Sequence, residues 1–330
     1  MAINTPCIVS GKAFGLKPKT NPDGSKDYPS YLGWEFMDPS EDPRRAYLPT
    51  VNPHYKFRSE LVMSVLSFLS APHGDTLFLS GPSGSGKTSL VLQAAARLNW
   101  HVREFCGGAQ EPAAMIGSYI LKPNPENPST TVMHFEHGPL VEAMKYGDIF
   151  LFNEFDCADP AQLSSLNTVM EGGLLEIPET GEVIQPHPMF RIILTGNSVG
   201  QGDTTGSYQG VVAQNLATMD RCRVLLIGYA TASQETNILK AVLGVEDFII
   251  KSMIQTANAV RKQFEQGAVS VPVTTRALIR WGHLIEEKSQ SDRPVGEAFD
   301  EAVLNRVSSE DERTAIRQIL KGCFPESTQL

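Results

Sequence analysis

Eight consecutive residues, Gly81-Pro82-Ser83-Gly84-Ser85-Gly86-Lys87-Thr88, carry the clearest chemistry in the chain. They match GxxxxGK[ST], the pattern of a loop that wraps phosphate. Glycines let the backbone turn tightly and aim successive N–H groups at one anion, and a following helix adds its positive end. Lys87 supplies a cation for terminal phosphates and Thr88 a hydroxyl for Mg2+. A Gly/Ser loop that matches by chance is the alternative. The apolar run Thr76–Ser80 before it and the helix-like segment from Ser89 to Leu98 after it argue against that.

A phosphate loop needs acidic groups at the end of a neighbouring strand to hold Mg2+ and polarise the attacking water. Asn153-Glu154-Phe155-Asp156, directly after the apolar run Asp148–Phe152, stands in that position. Glu154 is the candidate water-activating base, since a carboxylate just past a buried strand faces the crevice at its carboxyl end. Asn153 offers a metal-bound water an amide oxygen but no charge. Either Asp156 compensates, or hydrolysis is slow and the nucleotide acts as a switch. Asn197, ending the next strand, is placed to meet the γ-phosphate or the water. Arg221 and Arg276 are candidate arginines for the same phosphates, although a lone arginine is ordinarily a solvated surface group.

The elements that must position these groups follow from apolar patterning. Five strands are expected, at Thr76–Ser80, His101–Cys106, Asp148–Phe152, Phe190–Thr195 and Arg223–Ile227, with helices between them. Strand, helix, strand implies an α/β fold with a parallel five-stranded sheet flanked by helices. A helix over 57–69 precedes the first strand, another is expected over 160–170, and two hairpins interrupt the rhythm, one around Tyr119–Met133 and one around Leu174–Ile184. Residues 198–210, with four glycines, read as a mobile loop. Beyond Tyr229 only helical periodicity remains, giving a small all-helical domain over 230–330 after an α/β domain over 48–229. Residues 1–47 read as an arm rich in turn formers, ordered against a neighbour if at all, with Tyr28, Tyr31, Trp34 and Phe36 arguing against a plain linker.

With 330 residues, 41% hydrophobic and 20% charged, the chain has ample material for a core and the composition of a soluble protein. Its 28 basic and 37 acidic residues leave a net charge of −9, so no overall attraction to nucleic acid or anionic membrane exists. The five cysteines are scattered, with no C-x-x-C pair, as expected of reduced thiols in a cytoplasmic protein. No apolar run reaches the roughly 18 residues needed to span a bilayer, and no membrane association is expected.

Taken in order, the phosphate loop, Asn153-Glu154, Asn197, Arg221 and Arg276, with two hairpin insertions, resemble the AAA+ ATPases of the MoxR class. Closer still is the likeness to CobS-type cobaltochelatase subunits. It is carried by Val51-Asn52-Pro53-His54-Tyr55-Lys56-Phe57, Ala94-Ala95-Ala96-Arg97-Leu98-Asn99-Trp100, Pro186-His187-Pro188-Met189-Phe190-Arg191 and the run from Asn197 to Tyr208. The resemblance covers roughly residues 48–285. It implies a Walker A at Gly81–Thr88, a Walker B at Asp148–Glu154, sensor 1 at Asn197, an arginine finger at Arg221 and sensor 2 at Arg276 in a helical lid. It implies Mg-ATP as ligand, a homo-oligomeric ring, usually a hexamer, and a partner protein with a von Willebrand factor A domain. The hairpins would line the ring surface that pushes on that partner. Asn153 departs from the family's usual Asp and bears on hydrolysis rate more than on binding.

Three function classes remain in view: a motor that remodels a partner, either within a cobalt chelatase or in another complex; a weakly hydrolysing switch; and a DNA-translocating ring. The last would require basic hairpins. Glu176, Glu179 and Glu182 in one hairpin, and Lys122 as the sole basic residue in the core of the other, speak against nucleic acid.

Overall fold

Residues 6–34 pair and pack despite their turn-rich composition. The computed structural model describes residues 5–35, 44–108, 111–125, 127, 129–163, 166–202, 210–328 and 330. In it β1 (Pro6–Ser10) runs antiparallel to β4 (Ser30–Trp34), with the short strands β2 (Lys19–Thr20) and β3 (Lys26–Asp27) between them. Phe14, Leu16, Tyr31 and Trp34 are buried in one core with Leu66, Leu98 and Trp100. The Trp34 N–H donates to Leu98 O at 2.9 Å, and the Leu32 N–H to Ser70 Oγ at 3.0 Å. The expected arm thus packs on this chain itself, with Phe14, Tyr31 and Trp34 in the core. Phe36 and residues 39–43 lie outside the described residues.

Next come α1 (Ser59–Ser70), β5 (Thr76–Ser80), α2 (Lys87–Arg97), β6 (Val102–Cys106), the hairpin β7 (Gly117–Pro123) and β8 (Thr131–His137), α3 (Pro139–Tyr146) and β9 (Ile149–Asn153). Then follow α4 (Leu166–Met170), the hairpin β10 (Leu175–Ile177) and β11 (Glu182–Ile184), β12 (Arg191–Gly196), α5 (Leu216–Asp220) and β13 (Cys222–Leu226). The five long-range strands make one parallel sheet in the order β13-β5-β12-β9-β6. Alternation along its strands divides two cores. Leu77, Leu79, Leu151 and Ile193 face α1 and α2, whereas Phe78, Phe150, Phe152 and Leu194 pack with residues of α3 and α4. Burial on both faces is why β5, β9 and β12 read as apolar runs.

One expected helix differs. Over 160–170 the chain makes a 3-10 turn at Pro160–Leu163 and a helix only from Leu166 to Met170. The Asp159 carboxylate accepts the Ala161 N–H at 2.9 Å, a local bond that favours a turn over a helix start at full pitch. At the amino end of β9 the buried Asp148 accepts from Arg103 Nε at 3.0 Å and Arg44 Nη1 at 3.1 Å, anchoring that end of the strand.

The chain divides into two compact units: Met1–Val51, Phe57–Gly81 and Lys87–Ile227 in the first, and Asn52–Lys56, Pro82–Gly86 and Gly228–Leu330 in the second. The second is built on α6 (Ala232–Val242), α7 (Asp247–Glu265), α8 (Thr275–Glu287), α9 (Pro294–Ala302) and α10 (Glu310–Cys323). Thr231 and Gln234 form a reciprocal capping box for α6, and Thr274 and Ser309 cap α8 and α10. Trp281, Phe299 and Phe324 meet in its core.

Candidate nucleotide site

The parallel register brings the candidate residues together. Gly196 lies beside Ser80, and Leu194 beside Phe152, so the carboxyl ends of β5, β12 and β9 end level. In such sheets this edge is where ligands bind. Lys87, opening α2, donates from Nζ to Gly81 O at 2.6 Å and to Asn197 Oδ1 at 3.1 Å. The Thr88 hydroxyl donates to Asn153 Oδ1 at 2.8 Å, and the Thr195 hydroxyl donates to the same oxygen at 3.1 Å. Lysine, threonine and both asparagines therefore share one small polar cluster.

Glu154 stands in the left-handed region at φ 53°, ψ 40°, one of three non-glycine residues with positive φ among those described. That conformation costs roughly 1–2 kcal/mol for an L-residue. It reverses the chain directly after β9, and the Glu154 Oε2 accepts from Cys106 Sγ at 3.5 Å. Beside it, burial and the carboxylates of Asp156 and Glu154 push the Cys157 thiol up to about 11, so it stays protonated at neutral pH.

Asp156 has a different task from the one expected of it. It is fully buried, and its Oδ2 accepts from the Asn197 N–H at 2.8 Å, the Ser198 N–H at 2.8 Å and the Ser198 hydroxyl at 3.1 Å. These bonds fix the backbone that carries Asn197. The carboxylate that meets Asn153 comes instead from Glu104 on β6, whose Oε2 accepts from Asn153 Nδ2 at 2.9 Å. Sequence patterning does not single out Glu104 or Thr195. An acid on the face of β6 shared with buried Val102, and a threonine one residue short of a strand end, are the only signals they give.

The oxygen donors of this cluster suit a hard cation that keeps several waters and takes its remaining ligands from phosphate. Among the described residues no group of three or more His, Cys, Asp or Glu could hold a metal ion. At Gly86, φ is +93°, a backbone conformation that side chains rarely adopt.

A model of the AAA domain, dynein-related subfamily, matches residues 76–209, and a CbbQ/NirQ/NorQ C-terminal model matches residues 235–323. The chain thus carries an AAA domain followed by a CbbQ/NirQ/NorQ-type C-terminal domain. It is 29% identical over 291 residues to the aerobic cobaltochelatase subunit CobS of Sinorhizobium sp, covering 84% of this chain and 83% of that protein. An uncharacterised protein of Staphylococcus haemolyticus is 28% identical over 249 residues, 74% of this chain and 89% of its own. Among solved structures, a RuvB mutant of Thermotoga maritima is similar with a TM-score of 0.49 and 18% identity, covering 78% of this chain and 72% of that one.

Arg221 makes its contacts within the first unit. Arg221 caps the carboxyl end of α5, its Nε 2.8 Å from Glu171 Oε1 and its Nη1 donating to Ala217 O. Arg276 is exposed on the first turn of α8 in the second unit. In that unit the Tyr229 hydroxyl donates to Ser83 O at 3.2 Å, and a Cβ at Gly84 would come within 2.7 Å of Thr274 Cβ. A buried pair organises these contacts: Arg261 donates through Nη1 and Nη2 to the two carboxylate oxygens of Glu235 at 3.0 and 2.8 Å. Arg261 also donates from Nε to Val273 O at 2.7 Å and stacks over Tyr229, while the Thr275 hydroxyl donates to Glu235 Oε1 at 2.7 Å. Part of the glycine-rich loop after Asn197, residues 203–209, lies outside the described residues. Among those that are described, no helix is long and apolar enough to cross a membrane.

Proposed function

We propose that this chain hydrolyses Mg-ATP as a subunit of a homo-oligomeric ring, hexameric as is usual for the family, and uses the cycle to remodel a partner protein. The observation that carries the reading is the meeting of Lys87, Thr88, Asn153 and Asn197 at the carboxyl end of the sheet, with Glu154 directly following Asn153. Bound there with ATP, Mg2+ would neutralise charge on the phosphates, and Thr88 and Asn153 are the residues to hold it. Lys87 orients the terminal phosphate. The Glu154 carboxylate takes the proton of the attacking water, and the Asn197 amide fixes that water or the γ-phosphate. Arg221 acts on the neighbouring subunit's ATP, and Arg276 is the second phosphate-sensing arginine. The family resemblance supports a partner with a von Willebrand factor A domain, and the likeness to CobS supports service as a chelatase subunit as one such setting. Exposed Leu121, Met133, Leu174 and Val183 on the two hairpins offer that partner an apolar face.

The test is ATP turnover per subunit against protein concentration, with Glu154→Gln as control. Turnover that climbs with concentration, and a control that binds ATP but is dead, are expected. ATP binding without turnover at any concentration would favour a second reading, a nucleotide switch, to which the uncharged Asn153 gives support. A large gain in turnover for Asn153→Asp would favour it too.

A further inference from the structure

We propose that Glu104 is the acidic member of the metal-holding set, supplying from β6 the charge that Asn153 does not carry. This deepens the Mg-ATP reading and rests on it. The Asn153 amide is satisfied on both sides: its oxygen accepts from Thr88 and Thr195 at 2.8 and 3.1 Å, and its nitrogen donates to Glu104 Oε2 at 2.9 Å. The amide therefore links the loop threonine to a carboxylate on the next strand.

Register makes the contact a built one. Cys106 lies opposite Asn153 in the parallel β6–β9 pair, and Glu104 stands two residues earlier on the same face of β6, its longer side chain spanning the offset. Glu104 is exposed on β6, the outermost strand at that side of the sheet, so its carboxylate is open to a metal-bound water. Were residue 153 an aspartate, two carboxylates would stand at this spacing and repel each other, and one would be driven to take a proton. Asparagine at 153 and glutamate at 104 together carry a single negative charge, the same as one aspartate alone. A magnesium ion bound through phosphate and water needs one or two carboxylates, and water can bridge the extra reach. The bland alternative is that Glu104 only orients the Asn153 amide.

The experiment measures Mn2+ affinity by electron paramagnetic resonance in the ADP complex of the full chain, alongside ADP affinity in EDTA. Glu104→Gln keeps the hydrogen-bond acceptor and removes the charge. It is expected to weaken Mn2+ binding about tenfold or more, with ADP affinity in EDTA unchanged. Asn153→Asp alone should bind Mn2+ no tighter than the parent, whereas Glu104→Gln with Asn153→Asp should recover most of the loss. Parent-like Mn2+ affinity in Glu104→Gln, or a double variant no better than Glu104→Gln, would overturn the role of Glu104 while leaving the Mg-ATP reading intact. ADP binding by the parent chain that ignores Mn2+ altogether would overturn both.

Discussion

Arg221 Nε lies 2.8 Å from Glu171 Oε1 of the same chain, so the candidate finger is held by a carboxylate that is itself largely exposed. A partly exposed pair of this kind is worth about 1 kcal/mol, little enough for a neighbouring subunit's phosphate to displace it. Glu171→Gln should leave the melting temperature nearly unchanged and lower the protein concentration needed for half-maximal turnover. Arg221→Ala should be inactive alone and regain turnover when mixed with equally inactive Glu154→Gln. Mixtures that stay dead would show that Arg221 does not act across subunits.

Glu154 is expected to trade stability for chemistry. Its left-handed backbone carries strain of roughly 1 kcal/mol that glycine does not feel. Glu154→Gly should therefore unfold at a denaturant concentration no lower than the parent's, while losing turnover as fully as Glu154→Gln. A clearly destabilised glycine variant would mean that the side chain, with its Cys106 contact, holds the turn.

The Glu235–Arg261 fork in the second unit is buried on both sides, so removing one partner strands the other. Arg261→Met should cost about 3–5 kcal/mol in chemical denaturation. Glu235→Gln, which keeps hydrogen bonding, should cost less. Equal losses for the two would show that packing around the pair matters more than its charge.

His187 makes the first unit acid-sensitive. Desolvation lowers its pKa below the ordinary 6.5, with Asp148 opposing and Arg44 and Arg191 adding to the shift. Its Nδ1 accepts the Met189 N–H at 3.0 Å, a bond that only the neutral ring can make. The unfolded chain thus binds the proton more readily. This contribution is complete above about pH 6.5 and is lost as pH falls through the interval below it. Thermal melts from pH 7.5 to 5 should decline less steeply in His187→Gln than in the parent; parallel declines would acquit His187.

What can be read from the residues alone tracks the range of the interactions. The inner strands β5, β9 and β12 announce themselves because both faces are buried, and the phosphate loop because its chemistry is contiguous. Glu104 and Asn153 are 49 positions apart and meet only through the β6–β9 register. Asp156 resembles a metal ligand by its proximity to Glu154, but the reversal at Glu154 turns it under the Asn197 backbone instead. Arg261 and Glu235, 26 positions apart on different helices, give no local sign of pairing. The amino-terminal layer is obscured because Gly33 separates Leu32 from Trp34 and the turn formers around it outnumber its aromatics.

That layer also sets where the nucleotide-binding module begins. An expression boundary drawn at residue 48, where the family likeness starts, would strip Trp34 from Trp100 and bare the faces of α1 and α2 that Phe14, Leu16 and Tyr31 now cover. Such a fragment would present a sticky apolar surface and precipitate or cling to chaperones, whatever its catalytic residues. A fragment that keeps these contacts must include Pro6–Trp34.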